Sequence, residues 1–137
     1  MKEYQLEDIK VGMEESFQAT ITEEMMKKFL DITGDVNPLH SDEEFARDKN
    51  HPGRVVYGML TASFISTLGG VYLPGKNCLI QGVEVKFKKP VYIGDTLTIT
   101  GVVDEVHESV RQIVIKVTIK NQNGKVVSKG VLRAGVM

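Results

Sequence analysis

Cysteine is nearly absent: Cys78 stands alone among 137 residues. No disulfide can close within the chain and no cysteine-based zinc site can form. Cys78 itself is expected as a small buried apolar residue. The three histidines, His40, His51 and His107, are spaced too widely to argue for a metal site. A charge excess is lacking too. With 17 bases against 18 acids the net charge is −1, which offers no overall field for nucleic acid or an anionic membrane. The opening MKEYQLEDIK carries acids and has no apolar run of the secretory type, so a reducing cytoplasm is expected. Repeats, low-complexity tracts and phosphate-binding glycine loops are missing as well. What is left is ordinary for a folded protein, 42% hydrophobic and 26% charged, and is expected to form one domain over 1–137 with one core.

Charge is also missing from one long stretch, Val55 to Gly75. A run of that length invites a membrane test. It contains Thr61, Ser63, Ser66, Thr67 and several glycines, however, and Gly69-Gly70 predicts a helix end after about four turns, too short for a bilayer. The stretch is therefore expected to be a buried core helix from near Val56 toward Leu68, apolar or small nearly all round.

Before it, Ser16–Ile21 reads as a short strand. A helix is expected over 23–33, capped by Thr22, stopped by Gly34 and braced by Glu23/Lys27 and Glu24/Lys28. Met25, Met26, Phe29 and Leu30 form its apolar face. Ser41-Asp42-Glu43-Glu44 has the pattern of a capping box before another short helix. After the uncharged helix the chain reads as strands. Gln81–Lys88 puts Val83, Val85 and Phe87 on one face; Thr96–Val106 follows; Ile113, Ile115, Val117 and Ile119 alternate; Asn123-Gly124 predicts a hairpin before Val126–Ala134. One buried helix followed by antiparallel strands indicates an α+β fold, a sheet wrapped around that helix.

Chemistry concentrates in Asp35-Val36-Asn37-Pro38-Leu39-His40. Pro38 holds Asn37 out of helical geometry and bends the loop, so a carboxylate and an imidazole five positions apart can face one cleft. Such a pair, converging on one water, can share proton abstraction and donation. Gly58, near the start of the uncharged helix, allows close approach to unpaired backbone N–H groups that can stabilise an oxyanion.

Together with Ser41-Asp42, Phe45-Ala46, Gly58-Met59-Leu60, Phe87-Lys88-Lys89-Pro90-Val91 and Gly94-Asp95, this run resembles the MaoC-like (R)-specific enoyl-CoA hydratases, from about Ile21 to the C-terminus. The resemblance implies a hot-dog fold, a long central helix wrapped by an antiparallel sheet, and a homodimer or higher homo-oligomer whose sheets join edge to edge. It implies Asp35 and His40 as the catalytic pair, with the Gly58 N–H holding the thioester oxygen. Water would add across a trans-2-enoyl thioester of CoA or acyl carrier protein, His40 acting as base and Asp35 as its acid partner, a division the sequence leaves open. Asn37 is assigned to the loop, and Ser63 and Ser66 on the helix to the acyl pocket. Tyr57 departs from the histidine common at this position and is assigned to substrate binding. Lys86, Lys88 and Lys89 with Arg54 are weighed as partners for carrier phosphates against a solvated strand face. No cofactor, metal, nucleic acid or membrane is implied. Two alternatives stay open: a thioesterase of the same fold, and a non-catalytic acyl-thioester-binding subunit.

Overall fold

In the computed structural model, which describes residues 1–137, strand β1 (Glu14–Thr20) comes first. Its residues alternate in exposure, Phe17 and Ala19 turned toward the core and Ser16, Gln18 and Thr20 away from it. The outward hydroxyls pair across to the neighbouring strand, Ser16 with Thr100 at 3.1 Å and Thr20 with Thr96 at 2.8 Å. The strand is longer at its start than the expected Ser16–Ile21 and ends one residue earlier.

Helix α1 (Glu23–Thr33) is bounded as its sequence predicts. Thr22 Oγ1 accepts the Met25 N–H at 3.2 Å, and Gly34 ends the helix at φ 70°, a left-handed conformation that glycine adopts without a Cβ penalty. Of the two expected ion pairs, Glu24–Lys28 forms at 3.0 Å, whereas Glu23 turns to Arg54. Two short helical turns follow, α2 (Pro38–Ser41) and α3 (Glu43–Asp48). The cap of α3 is Asp42, not Ser41: the Asp42 carboxylate accepts the Phe45 N–H, because Ser41 already closes α2.

Helix α4 (Gly58–Thr67) does not stop at Gly69-Gly70. It passes into a π-helical turn over Leu68–Tyr72. Gly69 serves close packing instead of termination: a Cβ there would sit 3.1 Å from Leu132 and 3.2 Å from the Cys78 sulfur. No helix is long and apolar enough to cross a membrane.

Strands β2 (Cys78–Phe87), β3 (Thr96–His107), β4 (Gln112–Lys120) and β5 (Val126–Val136) complete a five-stranded sheet in the order β1-β3-β4-β5-β2, every pair antiparallel. β3, β4 and β5 run one or two residues past the expected bounds, since paired backbone continues where the apolar alternation fades. β2 starts before Gln81 but ends one residue short of Lys88. The β4–β5 hairpin turns at Gly124, at φ 72°, with Asn121 Oδ1 accepting the N–H groups of Asn123 and Lys125.

The inner sheet face supplies Leu97, Ile99, Ile113, Ile115, Ile119 and Leu132, all 0% exposed, against Ile65 and Leu68 of the helix and its π turn. Burying a side chain of that size contributes roughly 1.5–3 kcal/mol. This is the predicted architecture, a curled sheet around an enclosed helix. Cys78 is only half-buried, and burial pushes its thiol pKa up.

The two edge strands differ. β2 has no neighbour on its open side, and Leu79, Ile80, Val83 and Phe87 are 39–52% exposed along it. Met59 of α4, at 65%, is exposed as well.

Candidate active site

The loop after α1 is held by its own side chains. An Asp35 carboxylate oxygen accepts the Asn37 N–H at 3.1 Å, and Asn37 Oδ1 accepts the Leu39 N–H at 2.9 Å. Pro38 occupies the first position of α2, where its missing N–H costs nothing. These bonds turn the chain so that Asp35 and His40 line one cavity of about 580 Å³ together with Phe29, Gly58, Met59 and Phe87.

His40 is fixed twice. Its Nδ1–H donates to the Val55 carbonyl at 2.7 Å. A carbonyl can only accept, so Nδ1 carries a proton, and in the neutral ring the lone pair is on Nε2. The backbone carbonyl of His40 accepts Nε–H of Arg54 at 2.7 Å, and Arg54 Nη1 donates to both Glu23 carboxylate oxygens at 2.8 and 2.9 Å. Arg54 thereby ties the start of α1 to the loop. Arg54, weighed with Lys86, Lys88 and Lys89 as a phosphate partner, has its Nε and Nη1 engaged by the His40 carbonyl and the Glu23 carboxylate.

Tyr57 stands beside this pair, 3% exposed. Its ring packs on the His40 imidazole with centroids 4.2 Å apart and on Phe29 at 4.8 Å. Its hydroxyl donates to the Asp35 backbone carbonyl at 2.8 Å. Burial raises the phenol pKa, the Asp35 carboxylate raises it further, and Arg54 opposes both. The ring lines the cavity, but the polar end is spent on the loop. Tyr57 thus supports the loop through its hydroxyl and can meet a substrate only through its ring.

Gly58 opens α4, so its N–H has no carbonyl one turn back within the helix. With the helix dipole, that end favours developing negative charge. A Cβ on Gly58 would meet the Phe87 ring at 3.2 Å. Phe87 thus lies directly against the helix start.

Ser63 and Ser66 are not brought into this cavity. Both are exposed, and Ser63 Oγ donates back to the Leu60 carbonyl at 2.6 Å. Both lie on the helix face of Met59, at i+4 and i+7 from it, one and two turns beyond the cavity. Asn37 is likewise exposed, its side chain used as the cap described above. His51 is half-buried with Nδ1 3.1 Å from the Tyr92 hydroxyl, and His107 is exposed beside Glu105 at 3.2 Å. No group of three metal-ligating side chains occurs. Sequence reasoning missed the positioning role of Arg54. The only signal for it was an arginine just before a stretch otherwise free of charge.

Residues 7–125 match the family model described as the MaoC like domain. The chain belongs to that family. Among MaoC-like relatives it is 38% identical over 128 residues to an (R)-specific enoyl-CoA hydratase of Rhodospirillum rubrum, covering 90% of this chain and 85% of that one. It is 32% identical over 127 residues to a mitochondrial 3-hydroxyacyl-[acyl-carrier-protein] dehydratase of Arabidopsis thaliana, covering 89% and 74%. The solved (R)-hydratase of A. caviae, described as involved in PHA biosynthesis, superposes with a TM-score of 0.90 at 29% identity over 94% of this chain and 98% of that one. Its likeness extends over the whole sheet and helix, so this chain has the MaoC-like hot-dog fold that its motifs imply.

Proposed function

We propose that this MaoC-like protein is a hydro-lyase that adds water reversibly to a trans-2-enoyl thioester, giving the (R)-3-hydroxyacyl thioester. The observation that carries the reading is the fixed tautomer of His40: its protonated Nδ1 is held on the Val55 carbonyl while the ring lines the same cavity as Asp35 and Gly58. The thioester oxygen sits at the Gly58 N–H, which draws electron density from C3. His40 Nε2 takes a proton from water as the oxygen bonds to C3. The Asp35 carboxyl gives a proton to C2, and the proton on His40 then returns to Asp35 through solvent. Charge and atoms balance over the cycle. Asn37 and Tyr57 act on the loop, and Ser63 and Ser66 take an acyl role only at a subunit boundary.

That boundary is the second part of the proposal. The chain forms a homodimer through the exposed apolar strip of β2 and Met59, because an unpaired strand edge of this length otherwise invites uncontrolled pairing. The whole chain acts as one domain. A cytoplasmic placement is favoured by the lone cysteine, and the substrate carrier is CoA or acyl carrier protein, as for the relatives.

The test is crotonyl-CoA with the purified chain. Loss of enoyl absorbance with formation of (R)-3-hydroxybutyryl-CoA is expected. Absence of hydration, or release of free thiol from saturated acyl-CoA in its place, would overturn the reading in favour of a binding subunit or a thioesterase.

A further inference from the structure

From the end of α1 into α2, every second side chain accepts the backbone N–H two residues ahead. Thr33 Oγ1 accepts from Asp35 at 3.3 Å, Asp35 Oδ1 from Asn37 at 3.1 Å, and Asn37 Oδ1 from Leu39 at 2.9 Å. Short polar side chains form such local bonds readily. Here three run in series, and His40 follows the last of them. The first link differs from the other two, because its acceptor is itself held. The Thr33 hydroxyl donates to the Phe29 carbonyl at 2.9 Å, one turn back in α1. With its proton spent there, Oγ1 meets the Asp35 N–H with a lone pair. Thr33 hangs the loop on the helix.

That link spans a weak point. Gly34, at φ 70°, lies between Thr33 and Asp35 and ends the helix. Glycine gives up more conformational freedom on ordering than any other residue, so Gly34 alone fixes poorly the direction in which the chain leaves α1. The Asp35 N–H has no backbone acceptor, and Thr33 Oγ1 is its partner. The opposite end of the same residue is closed by Tyr57, whose hydroxyl donates to the Asp35 carbonyl at 2.8 Å. Asp35 is therefore gripped at both of its peptide groups. Its Oδ1 takes the Asn37 N–H, and Oδ2 is left without a partner in the chain. Thr33 and Asp35 line the same cavity as His40 and Gly58.

We propose that Thr33 is a positioning residue for the hydration: its hydroxyl ties the Asp35 N–H to α1 across Gly34 and so aims the Asp35 carboxyl at C2 of the substrate. The inference rests on the hydratase reading above and adds a residue to it. Thr33 acts through Asp35 and gives no proton to the substrate. Without the hydroxyl, Asp35 swings about Gly34 and its carboxyl spends less time in the productive orientation, which lowers the rate of proton transfer more than it weakens binding.

The test pairs two variants. Thr33→Val, nearly isosteric, removes the hydroxyl and is expected to lower kcat on crotonyl-CoA roughly five- to tenfold, with KM within about twofold of wild type. Thr33→Ser keeps the oxygen, loses only the methyl group, and is expected to recover kcat to within about twofold of wild type. A rise in KM with kcat unchanged would make Thr33 a mere wall of the cavity and overturn the proposal. Equal losses in the two variants, or none in either, would overturn it as well. The bond itself is read without substrate, by amide hydrogen exchange in NMR spectra of the full chain. The Asp35 N–H is expected to exchange roughly fivefold faster in Thr33→Val than in wild type, and near the wild-type rate in Thr33→Ser. Failure of the hydratase reading is a distinct result, namely wild-type protein that does not hydrate crotonyl-CoA. The tether is then judged on exchange alone: faster exchange in Thr33→Val with recovery in Thr33→Ser supports it, and equal exchange in wild type and Thr33→Val overturns it.

Discussion

The two walls of the candidate catalytic cavity are built by opposite means. On the loop side four polar groups of Asp35 and His40 are tied down: Nδ1 to Val55, the His40 carbonyl to Arg54, the Asp35 carbonyl to Tyr57, one Asp35 carboxylate oxygen to Asn37. On the β2 side, Phe87 and Val83 stand half-exposed on a strand with no neighbour. One wall is completed within the chain. The other has the apolar character of an interface and no partner in the chain to cover it. The difference teaches that the loop geometry is set by hydrogen bonds inside the subunit, while in the proposed dimer enclosure, which excludes water and strengthens electrostatic stabilisation, is left to assembly.

The sharpest way to break the loop wall is His40→Gln. It keeps a hydrogen-bonding side chain but removes the base, and kcat on crotonyl-CoA is expected to fall roughly 10²–10⁴-fold with thermal stability nearly intact. A fall of less than about threefold would remove His40 from the chemistry.

The β2 wall is broken by Val83→Lys. A charge on the open edge, brought near its own copy, is expected to weaken self-association roughly 10–100-fold, read as a shift toward monomer mass in light scattering. If mass and activity both hold, the strip is not the dimer face.

A smaller effect sharpens the role of Arg54. Arg54→Ala frees the His40 backbone, and kcat is expected to drop about tenfold with little change in KM, the signature of a displaced catalytic group. Arg54→Lys should recover little of it, because one ammonium cannot reproduce the planar fork.

The least effect is expected from Tyr57→Phe, which loses the bond to the Asp35 carbonyl and costs about 1 kcal/mol. It also changes the alkaline response. With the folded phenol raised by burial, the unfolded chain loses its proton first, near pH 10. Stability is therefore full below that pH and falls as pH rises through the folded pKa. Melting curves from about pH 9 to 11 should fall less steeply for Tyr57→Phe than for wild type.

Much of this was legible from residue order. Thr22 and Gly34 mark the ends of α1 because caps are local chemistry, and alternation in Ile113–Ile119 marks β4 because one face of it is buried. Asp35, Asn37, Pro38 and His40 announce a bent, polar loop for the same local reason. What sequence could not read were choices made between distant residues. Gly69 looks like a helix stop but is a contact surface for Leu132, and Glu23 leaves its helical neighbour for Arg54, 31 positions away. Ser63 and Ser66 share a helix with Gly58, yet within one chain they lie outside its cavity.

Sequence by itself determined the elements and the family and singled out the candidate reactive residues, since propensity, capping and motif chemistry act over a few neighbouring positions. Tertiary structure alone decided which nitrogen of His40 is engaged, where the Tyr57 hydroxyl is spent and which strand edge stays bare. Those depend on what the folded chain sets beside each group, and no local pattern encodes that.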